Sequence, residues 1–103
     1  MKEMQYKIRM FCRDNKIDCA PEYRALDIVS EMGEVAKEIL KMSDYGKREP
    51  KAREELKGEM GDLLFSVIAL ANTLGIDLEE ALAMVIDKYR KRLKKGGAGS
   101  ENG

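Results

Sequence analysis

Between Leu63 and Ala71 the chain reads LLFSVIALA, with Ser66 as its only polar side chain. Leu56, Met60, Leu63, Val67, Leu70 and Leu74 recur at three- and four-residue steps through the same stretch, the period of a helix. The run is too short for the roughly 20 apolar residues that cross a bilayer. The helix is therefore apolar all round along this stretch and must be covered on every side by protein. A chain of 103 residues has little material left for that cover, so a second copy is expected to supply one wall.

The other elements follow from the same period. Met4, Ile8 and Phe11 mark one face of a first helix, ending near Asp14 and Asn15, which favour turns. Pro21 suits a first helical turn, and Leu26, Val29, Met32, Ala36, Ile39 and Leu40 carry a second helix to about Ser43. The segment DYGKREP is an exposed connection, and Pro50 is expected to open the third helix. Gly75 stops it. Asp77 with Glu80 three residues on is a capping-box pattern for a fourth helix, which carries Leu82, Val85, Ile86, Tyr89 and Leu93 to about Lys95. No strand period competes, so the fold class is all-α. The expectation is a four-helix antiparallel bundle over residues 1–95, assembling as a homodimer or dimer of dimers, with a flexible C-terminal tail over 96–103.

Composition removes several functions. Nineteen basic and nineteen acidic side chains balance to a formal charge of zero, so no global field draws the chain to nucleic acid or to a membrane surface. Histidine is absent, which takes away the commonest general base and disfavours zinc. Cys12 and Cys19 have no metal-ligand spacing, and the chain opens on charged residues rather than a signal peptide; a reduced, cytoplasmic protein is expected.

The chemistry is left to carboxylates and cations. Glu31 and Glu34 lie three apart on the second helix, Glu59 and Asp62 three apart on the third, and each pair shares one helical face. Antiparallel packing of consecutive helices would bring the pairs level. Four negative charges so close repel unless protons or a cation neutralise them, and magnesium, which prefers oxygen ligands and bridges carboxylates to phosphates, is the natural cation, with manganese as an alternative. Glu38, seven beyond Glu31, continues the row as a further ligand or as a hydrogen-bond acceptor behind the ligands. For a single Glu-x-x-Glu a solvated acidic face is the commoner explanation, but Glu59 and Asp62 lie in line with Ser66, Ala69 and Leu70, a poor place for acids that serve only solubility. Lys88 and Arg92, four apart beside Tyr89, could grip phosphate oxygens, though the run KYRKRLKK also suits the negative end of a helix dipole. Lys37 and Lys41 read as solvated. Tyr6, Phe11 and Tyr23 read as core or edge residues. The tetrapeptide Glu-Met-Gly-acid occurs twice, and Gly33 and Gly61 point away from the acids, which predicts close backbone approach behind them.

Glu-x-x-Glu, a gap, Glu-x-x-Asp, then LGIDLEEAL and KYRKR together resemble the MazG-like branch of the all-α nucleoside triphosphate pyrophosphohydrolases over residues 3–93. The resemblance implies that Glu31, Glu34, Glu59 and Asp62 hold magnesium against a triphosphate, that Glu34 positions or deprotonates the attacking water, and that cleavage falls between the α and β phosphates. Lys88, Arg92, Glu38 and Tyr89 would contact substrate, in part across a subunit boundary, in an enzyme of nucleotide-pool housekeeping. The chain departs from many relatives in having Ser30 before Glu31, Val85 and Ile86 where an asparagine is common, and no tryptophan. Two other functions compete: a phosphoribosyl-ATP pyrophosphohydrolase, with a similar bundle and acid set, and a non-catalytic helical assembly module.

Overall fold

A computed structural model describes residues 1–96. It contains four helices and, among the described residues, no strand: α1 Lys2–Asp14, α2 Pro21–Met42, α3 Glu54–Leu74 and α4 Leu78–Lys94. Of the expected tail, residues 97–103 lie outside the described residues. No single described helix is long and apolar enough to cross a membrane.

The local signals behave as their chemistry requires. Pro21 opens α2, where a missing N–H is harmless. Gly75 closes α3 at φ +69°, a left-handed conformation that suits glycine. The Asp77 side chain accepts from the Glu79 and Glu80 backbone N–H groups and starts α4. Pro50 does not open α3. The Lys51 N–H donates to the Met42 carbonyl at 2.8 Å and the Arg48 guanidinium donates to the same oxygen at 3.0 Å, so the connection folds back onto the end of α2. The helix begins only after Arg53, whose backbone is extended.

α2 packs along α3, and α1 packs on α3. Arg53 meets Glu38, Glu59 and Asp62 meet Glu31, and Phe65 meets Arg24, so α2 and α3 run in opposite directions along their contact. α4 does not close a four-helix bundle within the chain. It leaves at 104° to α3, and none of its residues is buried. Gln5 of α1 braces this junction: its Nε2 donates to the Ile76 carbonyl (2.9 Å) and to Asn72 Oδ1 (3.0 Å), while its Oε1 accepts from the Leu78 N–H (2.9 Å). The result is an open shape with a radius of gyration of 17.0 Å, against about 13 Å for a compact domain of this length.

The core is small: Cys12, Val35, Ile68, Ala69 and Ala71 are the buried apolar residues. The apolar stripe of α2, expected to face inward, faces out: Leu26, Val29, Met32, Ile39 and Leu40 are all exposed. The side of α2 turned to α3 carries Arg24, Val35 and Glu38, with Glu31 half-buried beside them. On α3, Met60 and Leu64 are exposed, and with Gly61, Leu63 and Val67 they line an open apolar depression. A Cβ added at Gly33 or Gly61 would meet nothing within 4 Å, so these glycines admit no close neighbour within the chain. They lie on the outward sides, which the chain itself leaves uncovered.

Candidate metal centre

Helical geometry gathers the acids. Glu31 sits mid-way along α2, one face over from its exposed apolar stripe, and Glu59 and Asp62 sit one turn apart in the first half of α3. One carboxylate oxygen from each of Glu31, Glu59 and Asp62 lies within 4.8 Å of the other two; Glu31 and Glu59 are half-buried and Asp62 is exposed. Glu34, the expected fourth ligand, stands one turn along α2, exposed and outside this group of three. Its charge is nevertheless felt there. The Glu59 carboxyl is held above its ordinary range by burial first, and then by the charges of Glu34, Glu31, Asp62 and Glu38.

Among the described residues, no lysine or arginine forms an ion pair with Glu31, Glu34, Glu59 or Asp62. The donor set fits a hard divalent cation: all oxygen, anionic and uncompensated. Oxygens on opposite sides of magnesium stand about 4 Å apart at 2.0–2.1 Å ligand distances, so small side-chain rotations separate the observed spacing from coordination. The group also lies in line with buried Ser66 and Ala69 on α3, which gives it a partly dry wall.

Glu38 does not extend the group. It is only 7% exposed, and its Oε2 accepts from Arg53 Nε at 2.7 Å while Lys41 Nζ lies 3.7 Å from Oε1. The Arg53 hydrogen bond holds its carboxyl below the ordinary range, so it is an ion-pair member rather than an open substrate contact. Lys41 is accordingly part of this pair and not merely solvated. Arg53 had no helical period to mark it, since it precedes α3; its side-chain contact across the loop was invisible to pattern.

Lys88, Tyr89 and Arg92 are not brought to the acids. The Lys88 ammonium and the Arg92 guanidinium lie 5.4 and 5.9 Å from the Tyr89 ring centre, a cation–π group on α4. From Asp62 to the end of α3 is about 18 Å and from the start of α4 to Lys88 about 15 Å. With the 104° turn between the helices, the two groups stand on the order of 20 Å apart in one chain. Phe11 packs edge-on to Phe65, and Arg24 stacks on the same ring while donating to the Ile17 carbonyl at 2.7 Å. Tyr6 and Tyr23 are exposed.

Residues 20–96 match the family model of the MazG nucleotide pyrophosphohydrolase domain. The chain belongs to the MazG family. It is thereby a nucleotide pyrophosphohydrolase, a hydrolase acting on phosphoric anhydrides. Among curated relatives it is similar to YpjD of Bacillus subtilis strain 168, at 39% identity over 74% of this chain and 69% of that one. It is also 44% identical, over 47% of its own length and 19% of the relative's, to the nucleoside triphosphate pyrophosphohydrolase/pyrophosphatase MazG of Thermotoga maritima. Two solved structures share the fold. The crystal structure of B. subtilis YpjD superposes at a TM-score of 0.74 and 33% identity, covering 89% of this chain and 94% of that one. A Bacillus-conserved MazG protein, described as a nucleotide pyrophosphohydrolase, gives 0.72 and 31% over 85% and 86%. Membership sets aside the non-catalytic module.

Proposed function

We propose that this chain hydrolyses nucleoside triphosphates to the monophosphate and pyrophosphate, with a divalent cation held by Glu31, Glu59 and Asp62. The observation that carries the reading is the convergence of three carboxylate oxygens within 4.8 Å, left without a basic partner, in a MazG-family chain. Magnesium is the expected cation; bound there, it acidifies water and offsets charge on the phosphate oxygens. Glu34, exposed and free of any ion pair among the described residues, orients the attacking water and accepts its proton. The water oxygen bonds to the α-phosphorus, the bond from that phosphorus to the bridging oxygen breaks, and the electron pair leaves with pyrophosphate. The name of the Thermotoga maritima relative, a nucleoside triphosphate pyrophosphohydrolase, supports this substrate class over phosphoribosyl-ATP. Two free cysteines are in keeping with a reducing, cytoplasmic setting and a housekeeping role on the nucleotide pool.

The working unit in this reading holds at least two copies. One chain exposes 7836 Å², whereas a compact chain of 11.7 kDa exposes about 5,900 Å². That excess surpasses the roughly 800 Å² per partner of a standard interface. A second copy covers the outward stripe of α2, and Lys88 and Arg92 of one copy serve the phosphates held at the acids of the other, since within a chain they stand too far away. Pyrophosphate release measured across the common ribo- and deoxyribonucleoside triphosphates, with and without magnesium, tests the proposal. Activity that Glu59→Gln abolishes is expected; magnesium-independent release, or release equal in the variant, would refute it.

A further inference from the structure

Among the described residues, the side-chain hydrogen bond between Glu38 of α2 and Arg53, at the entry to α3, is the one that ties these two elements, beside a group of like charges that pushes the same two helices apart. Along α2, Glu38 lies seven residues from Glu31, and Arg53, just before α3, lies six residues from Glu59. These are rises of about 10 and 9 Å, so the ion pair and the acid group stand at matching heights on two antiparallel rails. Apolar packing supplies little restraint at this end: Val35 is buried, but Ile39, Leu40 and Met60 are exposed. Arg53 is the last extended residue before α3, and whatever anchors it sets where and in which rotation the helix begins.

We infer that the Glu38–Arg53 pair is a register clamp, with both members positioning residues that hold Glu59 and Asp62 level with Glu31. The inference rests on the reading of those acids as a cation site. Its test is the affinity of the intact protein for Mn²⁺ alone, measured by calorimetry with circular dichroism and thermal melting alongside. Charge by itself and the clamp predict opposite results for Arg53→Gln. Removing a positive charge near the site would tighten cation binding, whereas loosening the register weakens it, by about tenfold or more if the pair acts as outer partners of metal sites commonly do. Glu38→Asp keeps the charge and withdraws the carboxylate by one methylene; it too is expected to weaken Mn²⁺ binding, and it carries the test if Arg53→Gln does not fold. Equal or tighter binding in the folded variants would overturn the clamp, even with a lowered melting temperature. A parent protein that binds no Mn²⁺ would overturn the cation site itself, and the two failures are thus told apart.

Discussion

Val29 is the most exposed large residue on the outward stripe of α2, 70% accessible and flanked by Leu26 at 65%. If a second copy covers the stripe, Val29→Asp removes burial worth about 1–2 kcal/mol, roughly two-thirds of the value for a fully buried valine. A two-fold interface contains the position twice, for about 2–4 kcal/mol per dimer, and two carboxylates must also be desolvated. The dimer dissociation constant should therefore rise at least about a hundredfold. Within its own chain Val29 touches no core, so helix content should stay close to the parent's. Sedimentation velocity over a concentration series, with circular dichroism on the same samples, reads both quantities. A parent that sediments as an 11.7 kDa monomer at micromolar concentration, or a variant that assembles as tightly as the parent, would refute the reasoning.

In the absence of divalent cation, Glu59→Gln should melt higher than the parent at neutral pH. A carboxyl whose folded pKa is raised above the ordinary 4.5 binds its proton more tightly in the folded chain, so its contribution is present at acid pH and is lost as pH climbs from 4.5 through the folded value. Melting in EDTA across pH 4 to 8 checks this, and a variant no more stable than the parent at pH 7 would count against it. Gln5→Leu should cost about 2–3 kcal/mol in urea unfolding, because it strips partners from the Ile76 carbonyl, the Leu78 N–H and Asn72. A loss below about 0.5 kcal/mol would mean that water replaces the latch without penalty.

The sequence by itself determined the four helices, most of their ends and the acid spacing, because these are local: a period of 3.6, glycine at a left-handed stop, an aspartate over two free N–H groups. It marked Glu31, Glu34, Glu59 and Asp62 by their spacing, of which the structure gathers Glu31, Glu59 and Asp62 and leaves Glu34 outside. Tertiary structure alone decided which face of α2 turns inward. Periodicity separates an apolar side from an acidic one, but the side turned to α3 is a property of the neighbour, and here it is the one bearing Arg24, Glu31, Val35 and Glu38. The same holds for the Glu38–Arg53 pair and for the Gln5 latch, which joins residues more than 60 positions apart. Gly33 and Gly61, expected to admit a close backbone neighbour, have open space beside them within the chain, because the segments that could approach them pack elsewhere. Side-chain types limit which contacts are favourable, yet only the packing of distant segments selects among them.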